Sequence, residues 1–131
     1  MVFDPVAFYR ISNDWYLGST DTGEAAMRSV VSRAYYAAFL WARKAANLGQ
    51  ASHKDTAEFY AMSPVNATRI KIGNRLHDLR GRRELADYEL ATPCAAMNAK
   101  DALAISKAIL LDLGIPPVSL TKAPPQSPLV K

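Results

Sequence analysis

Apolar residues recur along this chain at steps of three and four, and no alternation of the strand kind persists for more than a few residues, so the pattern predicts helices. Asp4-Pro5, Ser63-Pro64 and Thr92-Pro93 each put a capping oxygen ahead of a proline at the first helical position, where its missing N–H is not needed. Gly18, Gly49 and Gly114 follow apolar-periodic runs and mark helix ends. These signals predict a first helix over residues 5–17, with Phe8, Ile11 and Trp15 facing inward. A long second helix runs from an N-cap at Thr22 to about Asn47. Its apolar face of Met27, Val30, Val31, Ala34, Tyr35, Ala38, Trp41 and Ala45 is wide enough to be contacted from more than one side. A connector over residues 50–63 holds one helical turn at 56–60. A third helix starts at Pro64, and a fourth spans 93–113, with Met97, Ala104, Ala108 and Leu111 along one stripe and Leu103, Ile109 and Leu110 beside it.

Within the third helix, Ile72, Leu76, Leu79, Ala86 and Leu90 fall on one seam, and Arg83 sits in the middle of it. A guanidinium on an apolar face needs a partner, because burying an unpaired charge costs several kcal/mol and arginine does not shed its proton. Asp87, one turn on, is at the spacing where an acid and a base face each other. Gly73 and Gly81 in the same helix each cost about 1 kcal/mol against alanine, so close packing, a bend or a break is expected at one of them. The expected architecture is all-α: an up-and-down bundle of four main helices with one longer loop over residues 1–114, and an extended proline-rich tail over 115–131.

Composition narrows the functional classes. At 131 residues the chain is one domain, half of it hydrophobic and 9% aromatic. The formal charge of +4 permits nucleic acid as a partner, but removing Lys122 and Lys131 of the tail takes it down to +2, so charge alone makes a weak case. Cys94 is the single cysteine, which excludes an internal disulfide and reads as a small apolar filler. His53 and His77 lack metal-site spacing, and no metal or cofactor is expected. No stretch is long and apolar enough to span a membrane, and MVFDPVAFYR carries no basic leader before an apolar run, so a cytoplasmic location is expected.

Three separated segments then combine: SRAYYAAF (residues 32–39), SHK (52–54) and LRGRRELADY (79–88). In this order and spacing they resemble the HEPN domain superfamily, in particular its small single-domain prokaryotic branch with an Arg...Ala-Asp-Tyr signature. The resemblance covers residues 3–113. It implies a helical bundle paired as a symmetric homodimer, with polar motif residues of both copies facing a shared cleft. It also implies a role around RNA or nucleotides in toxin–antitoxin or antiviral systems, often alongside a nucleotidyltransferase partner. Ribonuclease members carry an arginine followed four to six residues later by histidine; here that position holds Asp87, and both histidines precede Arg83. An aspartate beside arginine is held ionised, away from the neutral range where protons are exchanged, so the departure counts against direct cleavage.

Arg83, Asp87 and Tyr88 match the motif, and Arg80 lies one turn before Arg83. With Arg33 and Tyr36 on the more polar side of the second helix, they are the candidate residues of an RNA- or nucleotide-binding cleft. Arginine forks suit phosphate oxygens. A purely structural role for the Arg83–Asp87 pair, fixing helix register against Arg33 or a second copy, is the competing reading. Tyr35 belongs to the core, His53 anchors a loop and His77 is solvated. The leading expectation is a non-catalytic dimer that binds RNA, a nucleotide or a protein partner. The alternatives are a divergent metal-independent ribonuclease using Arg83, Asp87 and Tyr88, and a structural adaptor that binds no nucleic acid.

Overall fold

Side-chain caps set three of the helix starts. The computed structural model describes residues 3–18, 23–64 and 66–121, and over them the chain forms six helices: α1 (Val6–Gly18), α2 (Glu24–Ala45), α3 (His53–Ala61), α4 (Ala67–Tyr88), α5 (Ala96–Asp112) and α6 (Pro117–Thr121). Asp4 accepts the Val6 N–H at 3.0 Å, as its pairing with Pro5 predicts. Thr22 lies outside the described residues, and Gly23 occupies the N-cap of α2. Ser52 accepts from the Asp55 N–H, so the connector holds a nine-residue helix where a single turn was expected. Asn66, not the Ser63-Pro64 pair, caps α4: it accepts from the Arg69 N–H, and the helix starts at Ala67. The fourth predicted helix also starts late, at Ala96, because residues 92–94 are tied to α2. Arg28 donates to the Leu85, Ala86, Glu89 and Thr92 carbonyls, and Glu24 accepts the Cys94 N–H. That arginine closes the C-terminal end of α4, where orphan carbonyls gather and a cation is favoured.

Helix α2 is the central element, packed against α1, α3, α4 and α5, in keeping with its broad apolar face. Two faces turn out rotated from the sequence expectation. In α1 the buried residues are Val6, Tyr9 and Ser12, while Ile11 and Trp15 are more than 40% exposed. Ser12 can be buried because its hydroxyl donates to the Phe8 carbonyl of its own helix. In α5 the core side is Ala99, Ala102, Leu103, Ser106, Ile109 and Leu110, and Met97 and Leu111 face out. Buried Ser106 donates to the Ala34 carbonyl of α2 at 2.7 Å, so a polar residue marks the inward face. In α4 the seam is buried as expected from Ile72 to Ala86, but the helix ends at Tyr88 and leaves Leu90 outside it, 80% exposed.

The proline-rich segment departs from the extended form over 117–121, where α6 packs on α1 with Leu120 buried and Arg10 donates to the Ser119 carbonyl. The rest of that tail, from Lys122 on, lies outside the described residues. Among the described residues there is no strand, and no helix is long and apolar enough to cross a membrane.

Gly73 marks the crossing of α3 over α4. A Cβ at that position would overlap the backbone N and Cα of Ala61, whereas one at Gly81 would meet nothing within 4 Å, and the helix runs through both without a break. We expect Gly73→Ala to destabilise the fold by about 1–3 kcal/mol despite alanine's better helix propensity, since backbone cannot yield as a side chain can. Urea unfolding measures this, and a neutral or stabilising change would contradict the crossing.

Candidate functional site

Helix α4 delivers Arg83 into the interior, where it is 6% exposed. Its guanidinium carbon lies 5.2 Å from the centroid of the Tyr35 ring, 5.7 Å from that of Tyr36 and 5.8 Å from that of Tyr88. Among the described residues the carboxylate paired with it is Asp87, at 3.6 Å, an ion pair beyond hydrogen-bond reach. Asp87 in turn sits 3.4 Å from the Ser32 hydroxyl of α2, which donates to it. Arg83 Nε is buried and finds no acceptor among the described residues.

Magnitudes explain how such a charge is tolerated. Desolvating an ion inside a protein costs several kcal/mol. A desolvated cation over an aromatic face recovers about 2 kcal/mol, and three rings plus one carboxylate together are of the same order as the cost. The charge is therefore held, but its hydrogen-bonding capacity is not filled. A planar fork of N–H donors with an orphan Nε, set among hydroxyl-bearing rings, suits an oxyanion such as a phosphate.

Helix α3 brings in a residue that the sequence reading placed elsewhere. His53, expected as a loop anchor, opens α3 and stacks on Phe39 with centroids 4.2 Å apart, and its Nδ1 is bonded to the Tyr35 hydroxyl. Burial pushes the Tyr35 phenol far above its ordinary range, so it stays protonated, and the direction of its bond to Nδ1 follows the imidazole tautomer. Burial first, then the charges of Arg83, Arg80 and Arg43, press the His53 pKa down, with Glu84 opposing. These effects favour the neutral imidazole. No local motif marks this contact, because Tyr35 and His53 are 18 residues apart on different helices. The stacking partner Phe39, one turn after Tyr35 in SRAYYAAF, was the available clue.

The sequence candidates therefore divide. Tyr36, Arg83, Asp87 and Tyr88 meet at one place, with Ser32, Tyr35 and His53 added to them. Arg80 stands at the margin, its Nε 3.0 Å from Glu84. Arg33 does not join: it is exposed, with its guanidinium over the Phe8 ring of α1, so it is removed from the cluster and does not pair with Asp87. Tyr88 is 70% exposed and forms the outer wall. Cys94 is buried away from this cluster, and burial raises its thiol pKa. Among the described residues no three of His, Cys, Asp and Glu converge as metal ligands.

No family model matches this chain. No solved structure matches it either. Among curated proteins it is similar to Uncharacterized protein MJ0628 of Methanocaldococcus jannaschii, with 29% identity over 119 residues, covering 76% of this chain and 72% of the relative. That relationship links the chain to a distant archaeal homologue.

The depressed His53 pKa has a defined effect on stability. The unfolded chain takes up its proton near the ordinary value of about 6.5 and the folded chain only at lower pH. The stability contributed by neutral His53 is therefore fully present above about 6.5 and is lost as pH falls through the folded value. We expect the His53 ring signals to titrate below 6.5 in an NMR pH series. We also expect the urea midpoint to fall less on acidification in His53→Asn than in the parent chain. A His53 titration at or above 6.5 would contradict the contacts described.

Proposed function

We propose that this chain is a HEPN-type helical domain, an up-and-down bundle pairing as a symmetric homodimer. In this reading it grips RNA or nucleotide phosphates at the Arg83 cluster without cutting them, in a prokaryotic toxin–antitoxin or antiviral defence setting. The observation that carries the reading is the buried, ring-enclosed Arg83 with its unfilled Nε. Support for the HEPN likeness comes from space as well as sequence. The three motif segments, far apart along the chain, meet through Ser32, Tyr35 and Tyr36 of α2, His53 of α3, and Arg83, Asp87 and Tyr88 of α4. Exposed Tyr88 and Leu90 leave an apolar edge next to the cluster, suited to cover by a second copy. A nucleotidyltransferase-type protein is the partner class that goes with this setting.

One observation favours a second reading, a divergent metal-independent ribonuclease. The histidine missing from the usual place on α4 is supplied to the same cluster from α3. In that reading Arg83 steadies the phosphate charge and His53 exchanges protons, with Asp87 and Tyr88 in support.

Binding of the purified full chain to tRNA, followed by fluorescence anisotropy across a salt series, tests these readings. We expect affinity to fall steeply with salt, Arg83→Lys to weaken binding, and Arg80→Ala to reduce the salt slope by about 0.7, with the tRNA left intact. Cleavage that disappears in both Arg83→Lys and His53→Asn would replace the binding reading with the ribonuclease. Absence of any salt-sensitive binding would leave the structural adaptor.

A further inference from the structure

Arg28 is a second mostly buried cation beside α4, and the Arg83 cluster makes no direct contact with it. Its guanidinium donates to four main-chain carbonyls: Leu85 at 3.1 Å, Ala86 at 2.8 Å, Glu89 at 3.3 Å and Thr92 at 2.6 Å. Two of these precede Asp87 and Tyr88 and two follow them. Asp87 and Tyr88 are what the end of α4 places against Arg83, the one as its ion-pair partner and the other as its outermost ring.

Helix capping alone does not account for this arrangement. The last main-chain bond of α4 runs from the Glu89 N–H to the Leu85 carbonyl, so a cap has Ala86 and its neighbours to serve. The Glu89 and Thr92 carbonyls lie past the final helical residue, Tyr88. A rigid fork of donors bonded on both sides of a two-residue step fixes the backbone between them. Glu24 orients the fork in turn: one carboxylate oxygen accepts from the guanidinium and the other accepts the Cys94 N–H.

What the clamp fixes is a gap. Asp87 stands 3.6 Å from Arg83, and a shift of about 0.8 Å would close it to a charge-assisted hydrogen bond of about 2.8 Å. Closure would fill a donor that the proposed phosphate needs. Tyr88 ends the helix and is largely exposed, with its ring against the Arg83 guanidinium. Helix ends fray, so a ring held there keeps its place only while its backbone does. We infer that Arg28 is a positioning residue for the Arg83 cluster: by bonding the main chain on either side of Asp87 and Tyr88, it keeps the carboxylate short of full contact and the ring over the guanidinium, so that Arg83 stays open to an oxyanion. This rests on the phosphate-binding reading of Arg83.

Arg28→Lys keeps the charge and loses the fork, and two readouts on the full chain separate positioning from plain stability. The first needs no ligand: the Arg83 Nε–H signal is expected to change position and to exchange with water roughly tenfold faster than in the parent chain. The second is the dissociation constant for inorganic phosphate, expected to rise roughly fivefold. Leu120→Ala removes a buried side chain from α6, which packs on α1, and is expected to lower the melting temperature while changing neither readout. If Arg28→Lys does not fold, Glu24→Gln keeps an acceptor for the Cys94 N–H but loosens the fork, and is expected to move both readouts the same way by a smaller factor. An Arg83 Nε–H that matches the parent chain in the folded variant, an unchanged phosphate constant, or equal changes in Leu120→Ala would each overturn the inference. A parent chain that binds no phosphate would overturn the phosphate reading, and the ligand-free comparison would still decide whether Arg28 holds the cluster.

Discussion

A guanidinium buried among three tyrosine rings is the constraint on which the central packing turns. Arg83 can occupy the α4 seam only if Tyr35 and Tyr36 of α2 present their rings to it, and if the end of α4 holds Asp87 and Tyr88 in reach. Both conditions are built in. Tyr35 packs against the stacked pair of Phe39 and His53, and its hydroxyl is engaged by the imidazole. The α4 terminus is held by Arg28, whose fork donates to the Ala86 carbonyl and shares the Leu85 carbonyl with the Glu89 N–H. A cation in the interior is thus served by a second cation that closes the helix end.

The two flanks of α4 divide the polar chemistry between them. One presents an under-filled cation among aromatic rings, next to a histidine whose charged form is disfavoured; the other carries Arg82 between the carboxylates of Asp78 and Asp101. The two glycines of the helix serve different ends. Gly73 lets α3 cross at backbone distance, and Gly81 leaves a helix surface bare.

Much of this was legible in the residues. Arg83 within an apolar seam, with Asp87 one turn on, signalled a buried and compensated charge, because a 3.6-residue period makes burial calculable from sequence. The phases of α1 and α5 were not, since Ile11, Trp15, Met97 and Leu111 are large and apolar yet face out, while Ser12 and Ser106 turn inward by bonding to backbone carbonyls. Nothing in the sequence marked Arg28, because its carbonyl partners lie 57 to 64 residues away. His53 was hidden for the same reason, and the start of α6 was masked by a proline-rich composition that favours extended chain.

The state of the Arg83 side chain is the most direct test. In a proton–nitrogen spectrum tuned to arginine side chains, its Nε–H should exchange slowly with water, lie upfield through the ring currents of the tyrosines, and move on addition of inorganic phosphate. An Nε–H that exchanges as fast as those of surface arginines, at an unshifted position and indifferent to phosphate, would contradict the account.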